Sequence, residues 1–195
     1  VVGTGKLTIA LGTPTYSGST YSGFAANSSL TAVDIDIDSS NNTLSGVRDA
    51  INAANAGINA SLVKDGSQYR LLITTEDTGV VNSVSISVDE DGDGTKNNTS
   101  TDTDNTGLSQ LAFNSTAANM TQSAAAEDAA FTINGLALTS ASNVLTDVLD
   151  GVTVTLKEQT TSAATLTVAD NPSAITSAVQ AFVSAYNGYA TSATS

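Results

Sequence analysis

The strongest constraint on the fold of this chain is a change in the period of its apolar residues. Apolar and polar residues alternate over 6–11 and 33–38, which is the pattern of half-buried strands. Between strand-like segments, Leu44, Val47 and Ile51 recur at intervals of three and four, which places them on one side of a helix. The chain is therefore predicted to be α+β, with one amphipathic helix embedded among strands.

Capping and turn residues predict where these elements begin and end. The first helix is predicted over 44–56, with Thr43 as its N-cap and Gly57 in the left-handed position after it. Asp65 and Asn134 are each followed by glycine between apolar runs, a signal for hairpin turns. Further strands are predicted from apolar runs at 58–64, 69–75, 84–88, 130–133, 136–139, 152–156 and 165–168.

The segments between these runs are predicted to be irregular or weakly helical. A polar, turn-rich stretch at 12–29 is predicted to be a surface loop, and 89–107 a long acidic loop with a disordered tip. Small residues at 117–126 predict a connector and a domain boundary. Apolar spacing predicts a short helix over 144–149.

A last helix is predicted to follow Asn171 as its cap, with Pro172 in its first turn, and to end at Gly188. Its apolar side fits core packing against the second domain and a surface for a partner helix equally well. The sequence leaves these two interpretations open. The residues on this side are Ile175, Val179, Phe182, Val183 and Tyr186.

Charge and missing residue types exclude several classes of function. Nineteen acidic residues against six basic ones give a net charge of −13, which opposes binding to nucleic acid and to anionic membranes. The chain has no Cys and no His, so thiol nucleophiles, imidazole bases and the usual zinc ligands are absent. No run of residues is apolar enough to span a membrane. We therefore predict no catalytic residues, no metal or cofactor ligands and no enzymatic activity.

The acidic loop contains the sharpest candidate for a binding site. Asp89, Asp91, Asp93 and Gly94 match the first, third, fifth and sixth positions of a calcium loop, but Ser100 stands where the bidentate Glu belongs. No helical pattern precedes or follows the motif. We predict a solvated loop, with calcium binding as the alternative that the sequence leaves open.

A second group of carboxylates resembles an acid–base pair only superficially. Asp34, Asp36 and Asp38 alternate with apolar residues on one strand, and Asp49 lies on the outer side of the first helix. Because burial of so many carboxylates would be prohibitive, they are predicted to be solvated.

Three longer stretches, taken together and in order, resemble the flagellar filament-cap family, also called hook-associated protein 2 or FliD. Each stretch alone is modest evidence, and the ordered set is specific. They are LSGVRDAINAANAGINASLV at 44–63 with YRL at 69–71 and DTG at 77–79, FTING at 131–135 with SNVLTDVLDGVTVTL at 142–156, and AVQAFVSAYN at 178–187.

The resemblance implies a division into two β-rich head domains, with mainly antiparallel strands, followed by a leg helix. By that plan, 1–6 ends a segment of the inner head domain and 7–116 is the outermost head domain. Residues 117–170 are part of the inner head domain, and 171–195 begin the leg helix. The family's inner domain also uses strands that precede this segment, which implies an unpaired edge here.

The resemblance also implies a function in assembling the flagellar filament. The family caps the tip of the growing flagellar filament and promotes flagellin folding and insertion. The implied partners are other copies of the chain, in a ring that is a pentamer in the usual family picture, and flagellin. The implied location is secreted and extracellular, at the flagellum tip, and surface adhesion to host or surface glycans is left open.

The competing interpretation is a calcium-dependent extracellular adhesin module, whose composition would be similar. The predicted helix over 44–56 argues against it, because β-sandwich modules rarely embed an amphipathic helix between strands.

Overall fold

The structure, a computed structural model, describes residues 1–167, 169 and 172–193, with the side chain of Ala174 left out. The chain divides into two compact units, 1–157 and 158–195. Mainly antiparallel strands with a few helices confirm the predicted α+β class. The strands are β1 Gly5–Ser17, β2 Thr20–Ala26, β3 Val33–Ile37, β4 Ile58–Asp65, β5 Gln68–Thr75, β6 Ser83–Asp89, β7 Ala129–Ile133, β8 Leu136–Ser140, β9 Val144–Leu149 and β10 Val152–Thr155. The α-helices are α1 Leu44–Ala53, α2 Ser100–Thr103 and α3 Ser173–Ala193, and 3-10 turns lie at Val80–Asn82 and Gly107–Leu111.

The core of the first unit is built around β1, which pairs antiparallel with β2, β3 and β6. Leu7 lies opposite Ile35 on one neighbouring strand and Val88 on the other, and Ile9 lies opposite Ile86. All five side chains are buried. The alternation seen in the sequence thus becomes one continuous apolar face of the sheet.

Helix α1 is fixed by its cap and by one asparagine. The Thr43 hydroxyl accepts a hydrogen bond of 3.1 Å from the backbone amide three residues on, as predicted for an N-cap. Val47 and Ile51 are fully buried. The Asn52 side chain exchanges hydrogen bonds of 2.9 and 2.7 Å with the backbone of Ala60 in β4. These contacts hold the helix against the β4–β5 hairpin.

The predicted hairpin turns are confirmed, because glycine and asparagine occupy backbone conformations that other residues avoid. Gly66 has φ +63° between β4 and β5, and Asn134 and Gly135 have φ +50° and +85° between β7 and β8. The predicted helix over 44–56 ends earlier, at Ala53, and Gly57 has φ +72° as expected of a residue that follows a helix.

The prediction of a surface loop at 12–29 is wrong. The strand β1 continues through Ser17, turns at Gly18 with φ +64°, and returns as β2. The stretch contains three Thr, two Tyr and one Phe, residue types that favour strands. Because most of this hairpin is exposed, its polarity does not distinguish it from a loop.

The prediction of a short helix over 144–149 is also wrong, since these residues form β9 and pair with β10. The Ser142 hydroxyl does accept a hydrogen bond of 3.0 Å from the Val144 amide, but it does so in a turn. Gly151 with φ +72° supplies the turn to β10, and this pairing outweighs the helical spacing of the apolar residues.

The second unit contains α3. The prediction that this helix ends at Gly188 is wrong, because the helix continues to Ala193. The hydroxyl of Thr191 donates to the carbonyl of Asn187 at 2.9 Å, one turn earlier. The predicted cap Asn171 lies outside the described residues. The predicted strand at 165–168 is not formed at 165–167, and Val168 lies outside the described residues.

Among the described residues, no helix is long and apolar enough to cross a membrane.

Candidate functional site

The acidic segment between β6 and the 3-10 turn at Gly107–Leu111 is a structured loop. It contains α2, and Asp89 and Asp102 are only 4% and 0% exposed. The prediction of a solvated loop is therefore wrong for Asp89, whereas Asp91 and Asp93 are exposed as expected. Two buried carboxylates in a loop this polar require hydrogen-bond donors close by.

Backbone amides supply those donors. The Asp89 carboxylate accepts hydrogen bonds from the amides of Gly92 at 2.8 Å and Gly94 at 3.0 Å. The Asp102 carboxylate accepts a hydrogen bond of 2.7 Å from the Glu90 amide. Charge-assisted bonds of this kind are stronger than those between neutral groups. Side-chain carboxylates thus accept the backbone hydrogen bonds that carbonyl groups of a neighbouring strand would accept in a sheet.

The Glu90 side chain connects the loop to the rest of the core. Its carboxylate accepts hydrogen bonds from the amide of Leu108 at 2.9 Å, and from the amide and hydroxyl of Ser109 at 3.2 and 2.6 Å. Leu108 is fully buried. The two ends of the acidic loop are therefore held together by one side chain.

The three carboxylates that converge are not the three that the sequence motif indicated. Oxygens of Asp89, Asp91 and Asp102 lie within 4.8 Å of one another. Asp93 instead accepts hydrogen bonds from the side chain of Asn98 at 2.8 Å and the amide of Thr95 at 2.7 Å. These bonds, the one from Asn98 above all, lower the pKa of Asp93.

The sequence motif did not include Asp102, although a local signal for it was present. Thr99 precedes it by three residues, and the Thr99 hydroxyl accepts a hydrogen bond of 3.3 Å from the Asp102 amide at the start of α2. This spacing of a hydroxyl and an acidic residue is typical of a helix N-terminus. That the loop binds calcium only weakly, in roughly the millimolar range, or not at all stays a prediction for calorimetry.

The acidic face of β3 behaves as predicted from its alternation. Asp34 and Asp36 are exposed. Asp34 accepts hydrogen bonds from the hydroxyl of Thr8 at 2.6 Å and from Lys96 at 3.1 Å, and Lys6 lies 3.7 Å from Asp36. The Thr8 hydrogen bond, followed by that of Lys96, lowers the pKa of Asp34. Hydrogen bonds and ion pairs thus connect this face to β1 and to the acidic loop.

Within the second unit, the apolar side of α3 is largely open to solvent. Ile175, Phe182 and Tyr189 are 70%, 71% and 73% exposed. Scattered apolar residues are common on protein surfaces, whereas a continuous stripe along one helix is typical of a surface that packs against another segment. Core packing and a partner-helix surface both stay predictions for this stripe.

Known proteins resemble this chain along most of its length. Residues 6–77 match the family profile described as flagellin hook IN motif, and 126–195 match the one described as flagellar hook-associated protein 2 C-terminus. The B-type flagellar hook-associated protein 2 of Pseudomonas aeruginosa is 39% identical over 164 residues, which cover 78% of this chain and 33% of that protein. Flagellar hook-associated protein 2 of Salmonella typhimurium is 32% identical and covers 80% of this chain and 31% of its own length.

Solved structures agree with the sequence matches. The crystal structure of FliD from Pseudomonas aeruginosa PAO1 matches 95% of this chain and 75% of its own, with 34% identity and a TM-score of 0.63. The chain belongs to the flagellar hook-associated protein 2 family. Its structure is also similar to the D1-D2-D3 domains of the flagellar cap protein FliD from Escherichia coli, with a TM-score of 0.73, 30% identity and coverage of 97% of this chain and 55% of that one.

Membership in the FliD family confirms the resemblance drawn from the three ordered stretches. The chain spans about a third of the length of the curated FliD relatives that it matches. The two family profiles cover 6–77 and 126–195, so the acidic loop lies between them.

Proposed function

We propose that the intact protein caps the tip of the growing flagellar filament and that this chain forms the outer part of the cap. The observation that carries the proposal is the similarity of nearly the whole chain to solved structures named flagellar cap protein. In this role the protein acts by shape and placement, without catalysing a reaction and without a cofactor.

The division into domains belongs to the same proposal. Residues 7–116 would form the outermost head domain, with 1–6 and 117–170 belonging to the inner head domain and 171–195 to the leg. The exposed edges of the hairpins β7–β8 and β9–β10 support this division, because two-stranded sheets are marginal alone and favour pairing with further strands.

The proposed partners follow from the exposed surfaces and the charge. Several copies would form a ring, of five in the usual family picture, with the stripe of α3 packed against other segments of the intact protein. Flagellin would fold and insert beneath the ring, outside the cell. The charge of −13 favours solubility and opposes close contact between copies, so the contacts within the head are expected to be polar and weak.

Immunogold labelling tests the proposed place of the protein. Antibodies raised against this chain should label the distal ends of filaments on intact cells. Labelling along the filament shaft or at its base would contradict the proposal, and preabsorption of the antibodies with the purified chain should abolish the signal.

A further inference from the structure

Two asparagines of this chain, Asn134 and Asn187, are followed directly by glycine. In such a pair the backbone nitrogen of the glycine can attack the side-chain carbonyl carbon of the asparagine, because glycine has no Cβ to hinder the approach. The cyclic imide that results forms only when the backbone between the two residues can rotate. The fold therefore decides which of the two asparagines reacts.

Asn134 lies at the exposed tip of the β7–β8 hairpin. Asn134 and Gly135 have φ +50° and +85°, and Ile133 pairs with Leu136 on either side of them. In a turn of this kind the amide of the fourth residue, Leu136, donates the turn hydrogen bond, so the Gly135 amide takes no part in the ladder. Apart from its chain neighbours, no atom of the described residues lies within 4 Å of a methyl group built on Gly135. The attacking nitrogen is thus open to solvent.

The tip of this hairpin can open while its base stays in place. At the base, Asp128 accepts a hydrogen bond of 2.8 Å from the amide of Val80, and the carbonyl of Ala141 accepts one of 2.8 Å from the hydroxyl of Thr78. Beyond the base, β7 and β8 pair only with each other among the described residues. Because a two-stranded ribbon is marginally stable, its tip opens at a lower cost than the core does.

Asn187 is also exposed, but it lies inside α3. The carbonyl of Asn187 accepts a hydrogen bond of 2.9 Å from the hydroxyl of Thr191. The amide of Gly188, in the same peptide group, donates to the carbonyl four residues earlier, as in any α-helix. The helix therefore fixes the rotation that the imide requires.

We propose that the folded chain is deamidated selectively at Asn134. The Gly135 amide nitrogen loses its proton and forms a bond to the side-chain carbonyl carbon of Asn134, and the side-chain nitrogen leaves as ammonia. Water then opens the imide at one of its two carbonyl carbons, which gives aspartate in one case and isoaspartate in the other. In sum, asparagine and water give an acidic residue and ammonia.

Either product changes the tip of the hairpin. Aspartate adds a negative charge to a chain that already carries −13. Isoaspartate routes the backbone through the side-chain methylene group, which lengthens the turn and weakens the pairing of Ile133 with Leu136. This modification follows from the turn itself and does not depend on the proposed cap function.

Peptide mapping by mass spectrometry tests the proposal after incubation of the purified chain in mildly alkaline buffer. Cleavage after Lys96 and Lys157 places the two asparagines on separate peptides, 97–157 and 158–195. We expect Asn134 to convert at least about tenfold faster than Asn187, because the helix must open locally before Asn187 can react. Both products should appear at position 134, and the rate should rise with pH because the attacking nitrogen must lose its proton. In denaturant the two asparagines should react at similar rates.

Two variants serve as matched controls. Asn134→Gln should suppress the reaction at this position, because the longer side chain must close a larger ring. Asn187→Gln should leave conversion at Asn134 unchanged. Circular dichroism verifies that both variants keep the structure of the parent.

Three results would overturn the proposal. The first is conversion of Asn187 as fast as that of Asn134 in the folded chain. The second is an intact Asn134 in the folded chain under conditions in which the denatured chain reacts. The third is formation of aspartate without isoaspartate, because direct hydrolysis of the side chain would then replace the attack by Gly135.

Discussion

Single carboxylates set the conformation of the acidic loop. Asp89, Glu90 and Asp102 each accept hydrogen bonds from backbone or hydroxyl groups that have no partner in a sheet. The high content of acidic residues therefore has a structural use in addition to solubility. The sequence shows which residues are acidic but not which of them are buried. Their burial depends on which backbone amides of the folded loop can donate hydrogen bonds to them.

Replacing Asp102 by Ala should destabilise the first unit by about 1–3 kcal/mol, because the Glu90 amide loses its acceptor. Chemical denaturation measures the loss, and amide hydrogen exchange at Glu90 should accelerate. Asp91→Ala is the control, because Asp91 is exposed and should change stability little. Equal stability of the two variants would show that Asp102 does not hold the loop.

Replacing Thr8 by Val should raise the pKa of Asp34 towards its ordinary value of 3.8, because the largest cause of its lowering is removed. Because the pKa of Asp34 is lower in the folded protein than in the unfolded chain, its carboxylate stabilises the folded state above pH 3.8. This stabilisation is lost as the pH falls through the pKa of Asp34 in the folded protein. The stability difference between parent and variant should therefore shrink below about pH 4. NMR titration of Asp34 checks the pKa, and an unchanged value would refute the assignment.

Replacing Ile51 by Asp should unfold the first unit, because the side chain is 1% exposed and a carboxylate there would be buried without a partner. Thermal melting measures the effect. Ser45→Asp places the same group on the exposed side of α1 and should leave the melting temperature near that of the parent. If Ile51→Asp melts like the parent, the packing of this helix is wrong.

Secondary-structure elements were predictable where turn chemistry and periodicity agreed. The hairpin at Asn134 and Gly135 and the cap at Thr43 follow from local backbone requirements, and the structure has both. The errors at 12–29 and 144–149 lie in hairpins with exposed faces. There, polarity and helical spacing compete with pairing to the adjacent strand of the same hairpin, and the pairing decides the outcome.

The course of α3 through Gly188 is open to a direct test. Apart from its chain neighbours and the backbone of its own helix, no atom of the described residues lies within 4 Å of a methyl group built on Gly188. Gly188→Ala should therefore stabilise the helix by about 1 kcal/mol. Circular dichroism should show equal or higher helix content and a higher melting temperature. If the helix instead ended at Gly188 in a left-handed conformation, the substitution would lower both.

For the molecule as a whole, the three ordered stretches indicated the family by their resemblance to its members, and the comparisons confirm it. The convergence of Asp102 with Asp89 could not be predicted in the same way, since 13 positions separate them and only the folded loop brings them together.

In the intact protein, removal of the segment numbered 7–116 here should reduce filament assembly without abolishing it. The proposed outermost domain lies farthest from the growing end, where the legs and inner head would still act. Filament length and swimming measure the result in a strain that carries only the shortened copy. Complete loss of filaments would contradict the proposed placement of this domain, provided that the shortened protein is exported in normal amounts.

The cap function is tested most directly by the fate of flagellin in a strain without the gene. Such cells should release flagellin monomer into the medium and build no filaments, and the full-length gene should restore filaments. Normal filaments and normal swimming in the deletion strain would contradict it.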